Sequence, residues 1–387
     1  MATLVIKCGT LVLPKETLSN VFIHAQDGVV TQITSNADVP SGAVFVDAGA
    51  NKVVPGFVDI HVHGALDHDT MDATPESLDT MSAFFASHGV TSFLPTTMTA
   101  PRAEIDAALL NIKMMMSRGT AGAQILGAHI EGPYLNVKQC GAQLPDLIRP
   151  ANREEYCAWF DMGIARLITI APEITANADM IDDALLANVA IAIGHSDADY
   201  ATAQRCFMRG VTQATHTFNG MRGLHHREPG TAGAILANDN VVAQVIADNV
   251  HVHPGVMNII YKCKTADRLA LITDAMEAVG LGDGIYKLGP QDITVHNGEA
   301  RTKSGSLAGS TLTLDTAVRN IIAATGCSLN DAVTMSSWTP ARSIKFGDHK
   351  GNLIPGYDAD VAILNDALQV QKTIVGGRVV YERKDVS

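Results

Sequence analysis

After Pro55-Gly56 the sequence settles into one rhythm, an apolar run of strand length followed by a stretch of helical period, and it keeps to it through eight apolar runs. The runs are Val58–His63, Val90–Pro95, Ile125–Glu131, Arg166–Ala171, Val189–His195, Val211–His216, Val241–Asp248 and Leu269–Asp274. Between them, Pro75–His88, Arg102–Arg118, Asn152–Met162 and Asp199–Arg209 suit amphipathic helices. Strands that alternate with helices belong to a parallel α/β domain, and eight such units predict a closed (β/α)8 barrel. An open doubly wound sheet would need a phosphate-binding glycine-rich turn after its first strand, and Gly56 to Gly64 has the wrong content for one.

The two chain ends read differently. Leu4–Ile6, Leu11–Leu13, Val21–His24 and Val29–Thr34 are short strands, with turns expected at Cys8-Gly9, Pro14-Lys15 and Asp27-Gly28. Past the eighth run, Gly282–Gly309 is rich in glycine and short strands, Leu312–Thr325 and Asn330–Ser337 look helical, and Asp360–Leu364 and Lys372–Tyr381 return to strands. Residues 1–54 and 346–387 are therefore expected to share one small β-sandwich domain, leaving 55–345 to the barrel. A length of 387 residues accommodates this layout, and 47% hydrophobic against 18% charged residues supply an ample core.

Composition also removes whole classes of function. Lys and Arg number 28 against 40 Asp and Glu, and the net charge of −12, with no basic run, excludes nucleic acid as a partner. The six cysteines are dispersed without a Cys-x-x-Cys pair, which argues for reduced thiols in a cytoplasm rather than a disulfide framework or a thiolate zinc site. No segment approaches the roughly 18 apolar residues of a membrane span, and Met1–Leu13 lacks a basic leader, so neither membrane nor targeting signal is expected.

In such a barrel, side chains at the C-terminal ends of the strands point into one mouth. Strand one ends in His61-Val62-His63, whose period of two sends both imidazoles to one face. Strand three ends in Glu131, five in His195, six in His216 and eight in Asp274. Four imidazoles and two carboxylates at one mouth suit a divalent metal, zinc above all, with a position left open for water.

The same residues carry a family resemblance. Pro55-Gly56-Phe57-Val58-Asp59-Ile60-His61-Val62-His63-Gly64 resembles the strand-one signature of the amidohydrolase superfamily. His129-Ile130-Glu131-Gly132-Pro133-Tyr134 and Gly194-His195-Ser196 resemble its N-acetylglucosamine-6-phosphate deacetylase branch. Thr215-His216-Thr217-Phe218-Asn219-Gly220-Met221, Arg227-Glu228-Pro229-Gly230, Ala247–His251, Thr273-Asp274-Ala275, Leu307-Ala308-Gly309-Ser310 and Gly356–Asp360 follow in that family's order. The stretches Asn219–Arg227 and His251–Pro254 are also similar to N-acetylgalactosamine-6-phosphate deacetylases, which leaves the sugar epimer open.

The resemblance implies an amidohydrolase-type barrel, a phosphorylated amino sugar as substrate and hydrolysis of its N-acetyl group. It makes Glu131, His195 and His216 ligands of the principal metal, with Glu131 able to bridge to a second ion on His61 and His63, so that one or two ions are expected. Asp274 would move protons, and His251 would orient the sugar or its acyl group. Arg227 would anchor phosphate, reaching the neighbouring subunit's site in a homodimer. Ala142, Gln143, Asn219, Gly220, Leu307, Ala308 and Gly309 would complete the pocket.

One residue departs from the family pattern: Gln143 stands where relatives usually carry a His that supports the developing oxyanion. Gln donates a hydrogen bond but carries no charge, and losing an oxyanion donor costs about 10²–10³ in turnover. Two alternatives follow, an amidohydrolase acting on another amide and a catalytically impaired scaffold, for which Gln143 is the sole residue in favour.

Overall fold

A computed structural model describes residues 3–289 and 291–384. Residues 1–2 and 385–387, at the outer limits of the expected small domain, lie outside the described residues.

The eight strands are Phe57–Val62, Val90–Thr97, Ala128–Glu131, Ala165–Ile170, Ala190–Ile193, Gln213–Ala214, Val242–Ile246 and Leu269–Ile272. They pair in parallel in that order, for example Leu167 with Ala190 and Gln244 with Ala270. Backbone bonds draw the eighth strand to the first: Asp274 N–H donates to the His61 carbonyl and His63 N–H to that of Ala275, both at 2.9 Å. Beneath them the Thr273 hydroxyl donates to the Asp59 carboxylate at 2.6 Å. Every residue of the first and fifth strands is buried, as a sheet covered on both faces requires.

Helices cover the sheet where the sequence provides caps and an apolar stripe. The helix Pro75–Ser87 has Pro in its first turn, the Thr74 hydroxyl accepts the Ser77 N–H, and Leu78, Met81 and Phe85 form its buried face. Asp199 caps the helix Tyr200–Arg209 through the Thr202 N–H. Among the described residues no helix is long and apolar enough to cross a membrane.

Two barrel strands depart from expectation. The run Ile125–Glu131 is interrupted at Gly127, where φ is +152° and a Cβ would stand 2.4 Å from the Ile164 carbonyl oxygen. Gln124–Ile125 pairs with the second strand, and Ala128–Glu131 resumes the sheet beyond the break. The sixth strand contracts to Gln213–Ala214, because the chain leaves extended geometry before His216, whose φ is +28°.

Both chain ends build the small β domain as one hydrogen-bonded network of eight strands. Val361–Leu364 from the C-terminal part lies antiparallel to Lys52–Pro55 from the N-terminal part. Leu4, Ile6, Leu11, Ile23, Val53, Val361 and Ile374 form its own core. The turn expected at Cys8-Gly9 is absent: Thr3–Val12 is one strand, and Gly9 permits it because a Cβ there would meet the Gly49 carbonyl oxygen at 2.7 Å. A third, three-stranded antiparallel sheet, Gly284–Leu288, Gln291–His296 and Glu299–Thr302, packs Leu288, Ile293 and Val295 with Met98, Met276 and Ala308.

Candidate active site

The residues expected at the strand ends converge. The ligand atoms of Glu131, His195 and His216 lie within 4.8 Å of one another, as do those of His61, His63 and Asp274. His195, His216 and Asp274 all have positive φ, +46°, +28° and +50°, so the chain breaks out of extended geometry where each side chain turns inward. Such conformations cost non-glycine residues about 1–3 kcal/mol each and persist where surrounding structure enforces them. Gly194 lets the fifth strand in close, since a Cβ there would stand 2.7 Å from Thr169 and from Thr215.

The tautomers of three rings follow from their outer partners. Nδ1 of His195 meets the Gln139 carbonyl at 2.8 Å, that of His216 the Asn219 carbonyl at 3.0 Å, and that of His63 the Thr96 carbonyl at 3.2 Å. A carbonyl only accepts, so each Nδ1 carries a proton and each neutral ring turns a bare Nε2 inward. Those lone pairs face other acceptors. The His195 and His216 Nε2 atoms are 3.0 Å apart, and each is 3.2 Å from Glu131 Oε1. His63 Nε2 lies 3.3 Å from Glu131 Oε2 and from Asp274 Oδ1, and His61 Nε2 lies 3.4 Å from Asp274 Oδ1. Acceptors this close repel unless a cation lies among them, and a buried imidazole–carboxylate set with outward N–H groups fixed by carbonyls fits a divalent metal.

A proton placed among these groups is likewise held firmly. Burial pushes the His63 pKa down, but hydrogen bonds to Asp274 and Glu131 outweigh it and carry it well above the usual value. Burial pushes the Glu131 carboxyl up, yet His61, His195 and His216 hold it well below the usual range. Asp274 likewise stays at about 2, its burial overcome by His61 and His63.

A cavity of about 240 Å³ opens above these groups, lined by His63, Glu131, His195, His216 and Asp274 together with Ala142, Gln143, Asn219, Gly220, His251, Leu307 and Gly309. His61 is wholly buried beneath it. Ala308 is buried too, its side chain in the cluster with Met98 and Leu288 while its neighbours face the cavity. Arg227 is not brought into the cavity: it is exposed, and its guanidinium donates to His226 Nε2 at 2.7 Å. The Asn219 Nδ2 group has no hydrogen-bond partner although buried. Met98, Leu288 and Ser306 also line the cavity and escaped sequence reasoning. So did Asp248, whose carboxylate takes His251 Nδ1 at 2.6 Å and the backbone N–H groups of Val250 and His251. The spacing Asp248-Asn249-Val250-His251, an Asx turn closing on its own histidine, was its available signal.

Fold and site together define a (β/α)8 barrel with candidate metal sites at its mouth, and residues 52–380 match the amidohydrolase family. The chain belongs to that family and, within it, to the N-acetylglucosamine-6-phosphate deacetylases. It is 35% identical over 99% of its length to the N-acetylglucosamine-6-phosphate deacetylase of Bacillus subtilis (strain 168), covering 98% of that protein. It is 38% identical over 97% of its length to the N-acetylgalactosamine-6-phosphate deacetylase of Escherichia coli O157:H7, covering 99% of it. The structure of a mutant N-acetyl-D-glucosamine-6-phosphate deacetylase from Mycobacterium smegmatis, in complex with N-acetyl-D-glucosamine-6-phosphate, superposes with a TM-score of 0.91 at 32% identity, covering 98% of this chain and all of that one.

Proposed function

We propose that this protein hydrolyses the N-acetyl group of N-acetyl-D-glucosamine 6-phosphate, giving D-glucosamine 6-phosphate and acetate. The observation that carries the reading is the pair of ligand trios joined through Glu131 at the floor of the cavity. Glu131, His195 and His216 hold one divalent ion, and His61, His63 and Asp274 flank a position for a second. Zinc suits this mixed imidazole–carboxylate set. A divalent ion supplies polarisation of the acetyl carbonyl and activation of water, whose pKa it lowers from about 15.7 to about 7.

The remaining roles fall to this chain's own side chains. Asp274, ionised at neutral pH, takes the proton released as water attacks and passes it to the departing amine. The unpartnered Asn219 amide donates to the substrate, beside Gly220, Ala142 and the Leu307–Ala308–Gly309 backbone. His251, held by Asp248, orients the sugar or its acyl group. Arg227, exposed and outside its own subunit's cavity, grips the phosphate bound to a neighbouring subunit, which makes the working unit a homodimer. The barrel spanning 55–345 is the catalytic unit, the small domain comprises 1–54 and 346–387, and the enzyme works in the cytoplasm.

The similarity to the E. coli protein over 97% of the chain supports a second reading, the 4-epimer N-acetyl-D-galactosamine 6-phosphate. Acetate release from either phosphorylated sugar by zinc-loaded protein, compared with chelator-stripped protein and with His195→Ala, tests the common chemistry. Release by the loaded wild type alone is expected; equal release from stripped protein would overturn the metal-dependent reading.

A further inference from the structure

Gln143 was expected to act on the substrate, but the polar atoms of its side chain are engaged by the protein. Its Oε1 accepts the Thr99 backbone N–H at 2.9 Å, and its Nε2 donates to Glu131 Oε2, also at 2.9 Å. The remaining Nε2 hydrogen has the Met98 sulfur at 3.7 Å. The residue is buried, and the Thr99 bond fixes which way its amide faces, because a backbone N–H accepts nothing and forces oxygen toward it. Thr99 is itself seated closely: a Cβ on Gly132, where φ is +77°, would stand 2.2 Å from the Thr99 hydroxyl. Glu131 has the most divided task in the site, with Oε1 toward His195 and His216 and Oε2 toward His63. Rotation of its carboxyl would dissolve that division, and among the described residues the bond from Gln143 resists it from outside the ligand set.

We propose that Gln143 is a positioning residue for Glu131: the relay from Thr99 N–H through the Gln143 amide to Glu131 Oε2 holds the carboxylate in the orientation that serves both ligand trios. The proposal rests on the metal-centred reading above. Loss of an outer partner of a metal ligand typically costs about 10–100-fold in metal affinity or activity. An oxyanion donor would instead leave metal affinity untouched and cost turnover.

The test is titration of the chelator-stripped full-length protein with Zn²⁺ against a competing chelator, for wild type, Gln143→Met, Gln143→Ala and Gln143→His, alongside kcat and KM at saturating Zn²⁺. Gln143→Met keeps the volume and removes the donor, and Gln143→Ala repeats the removal without the bulk, so a packing fault in one variant is exposed by the other. Both should bind Zn²⁺ about 10–100-fold more weakly, recover most of their kcat once saturated, and keep KM within a few-fold. Gln143→His, which supplies an N–H, should restore affinity. Wild-type affinity in both variants, with kcat down about 10²–10³ at saturation, would overturn the proposal and return Gln143 to the substrate. Wild-type protein that binds no Zn²⁺ would overturn the underlying metal reading instead.

Discussion

At the scale of single residues, the site is a crowd of acceptors organised by what stands behind them. His195, His216 and His63 owe their inward lone pairs to three backbone carbonyls, and Asp274 owes its ionised state to imidazoles that outweigh its burial. On the proposed assignment His195 is a ligand, so His195→Ala should bind at least one zinc fewer per subunit in equilibrium dialysis. Asp274→Asn should keep an ion on Glu131, His195 and His216 while kcat falls about 10²–10⁴-fold, the usual worth of a placed general acid–base, as steady-state kinetics would register. Full activity in that variant would give the proton transfers to another group. The His-x-His spacing and the residues ending strands three, five, six and eight were legible in the sequence because barrel geometry fixes where strand ends point. Gln143's attachment to Glu131 was not, since nothing in a sequence shows that a loop glutamine settles between Thr99 and Glu131.

At the scale of elements, close approach between strands sets where the strand-end side chains stand. Gly194→Ala would force a methyl group against Thr169 and Thr215, pushing His195 outward. It should destabilise the fold by about 1–3 kcal/mol in a denaturant titration and weaken zinc binding in the same protein. A second joint lies between the helices Pro75–Ser87 and Leu314–Thr325, where Asp315 binds His88 at 2.9 Å and Arg319 at 2.8 Å. Burial alone would raise the Asp315 carboxyl, but these partners bring it from the usual 3.8 to about 2. A carboxyl lowered on folding contributes stability fully present above about pH 4 and lost as pH falls through about 2. Asp315→Asn should therefore cost about 2 kcal/mol at pH 7 and flatten the pH dependence of the melting temperature between pH 4 and 2. An unchanged acid limb would mean the pair is not coupled to folding. Element type was readable from periodicity, but the break at Gly127 and the unbroken Thr3–Val12 strand were not. Both depend on a backbone carbonyl brought alongside from elsewhere in the chain, Ile164 in one case and Gly49 in the other.

At the scale of the whole molecule, the barrel supplies the centre, and the hairpin sheet following the eighth strand contributes Leu288 to the cavity wall. Sequence reasoning reached that wall only in part: Ser306 adjoins the expected Leu307–Gly309, whereas Met98, and Leu288 on its own strand, carry no signal of their own. Arg227 raises the question of a second subunit. If it serves the neighbouring site, mixing and refolding Arg227→Ala with Asp274→Asn subunits should regain about a quarter of wild-type activity, since in a two-fold dimer only mixed pairs rebuild one complete site. No recovery would confine Arg227 to its own subunit's site, whereas full activity of Arg227→Ala alone would leave it at the surface. The central claim is tested most directly by steady-state deacetylation of N-acetylglucosamine 6-phosphate and N-acetylgalactosamine 6-phosphate by the zinc-loaded protein, with the two unphosphorylated sugars alongside. Turnover confined to the phosphorylated sugars, fastest with the gluco epimer, is the predicted result; no turnover of any of the four by protein with full zinc occupancy would contradict it.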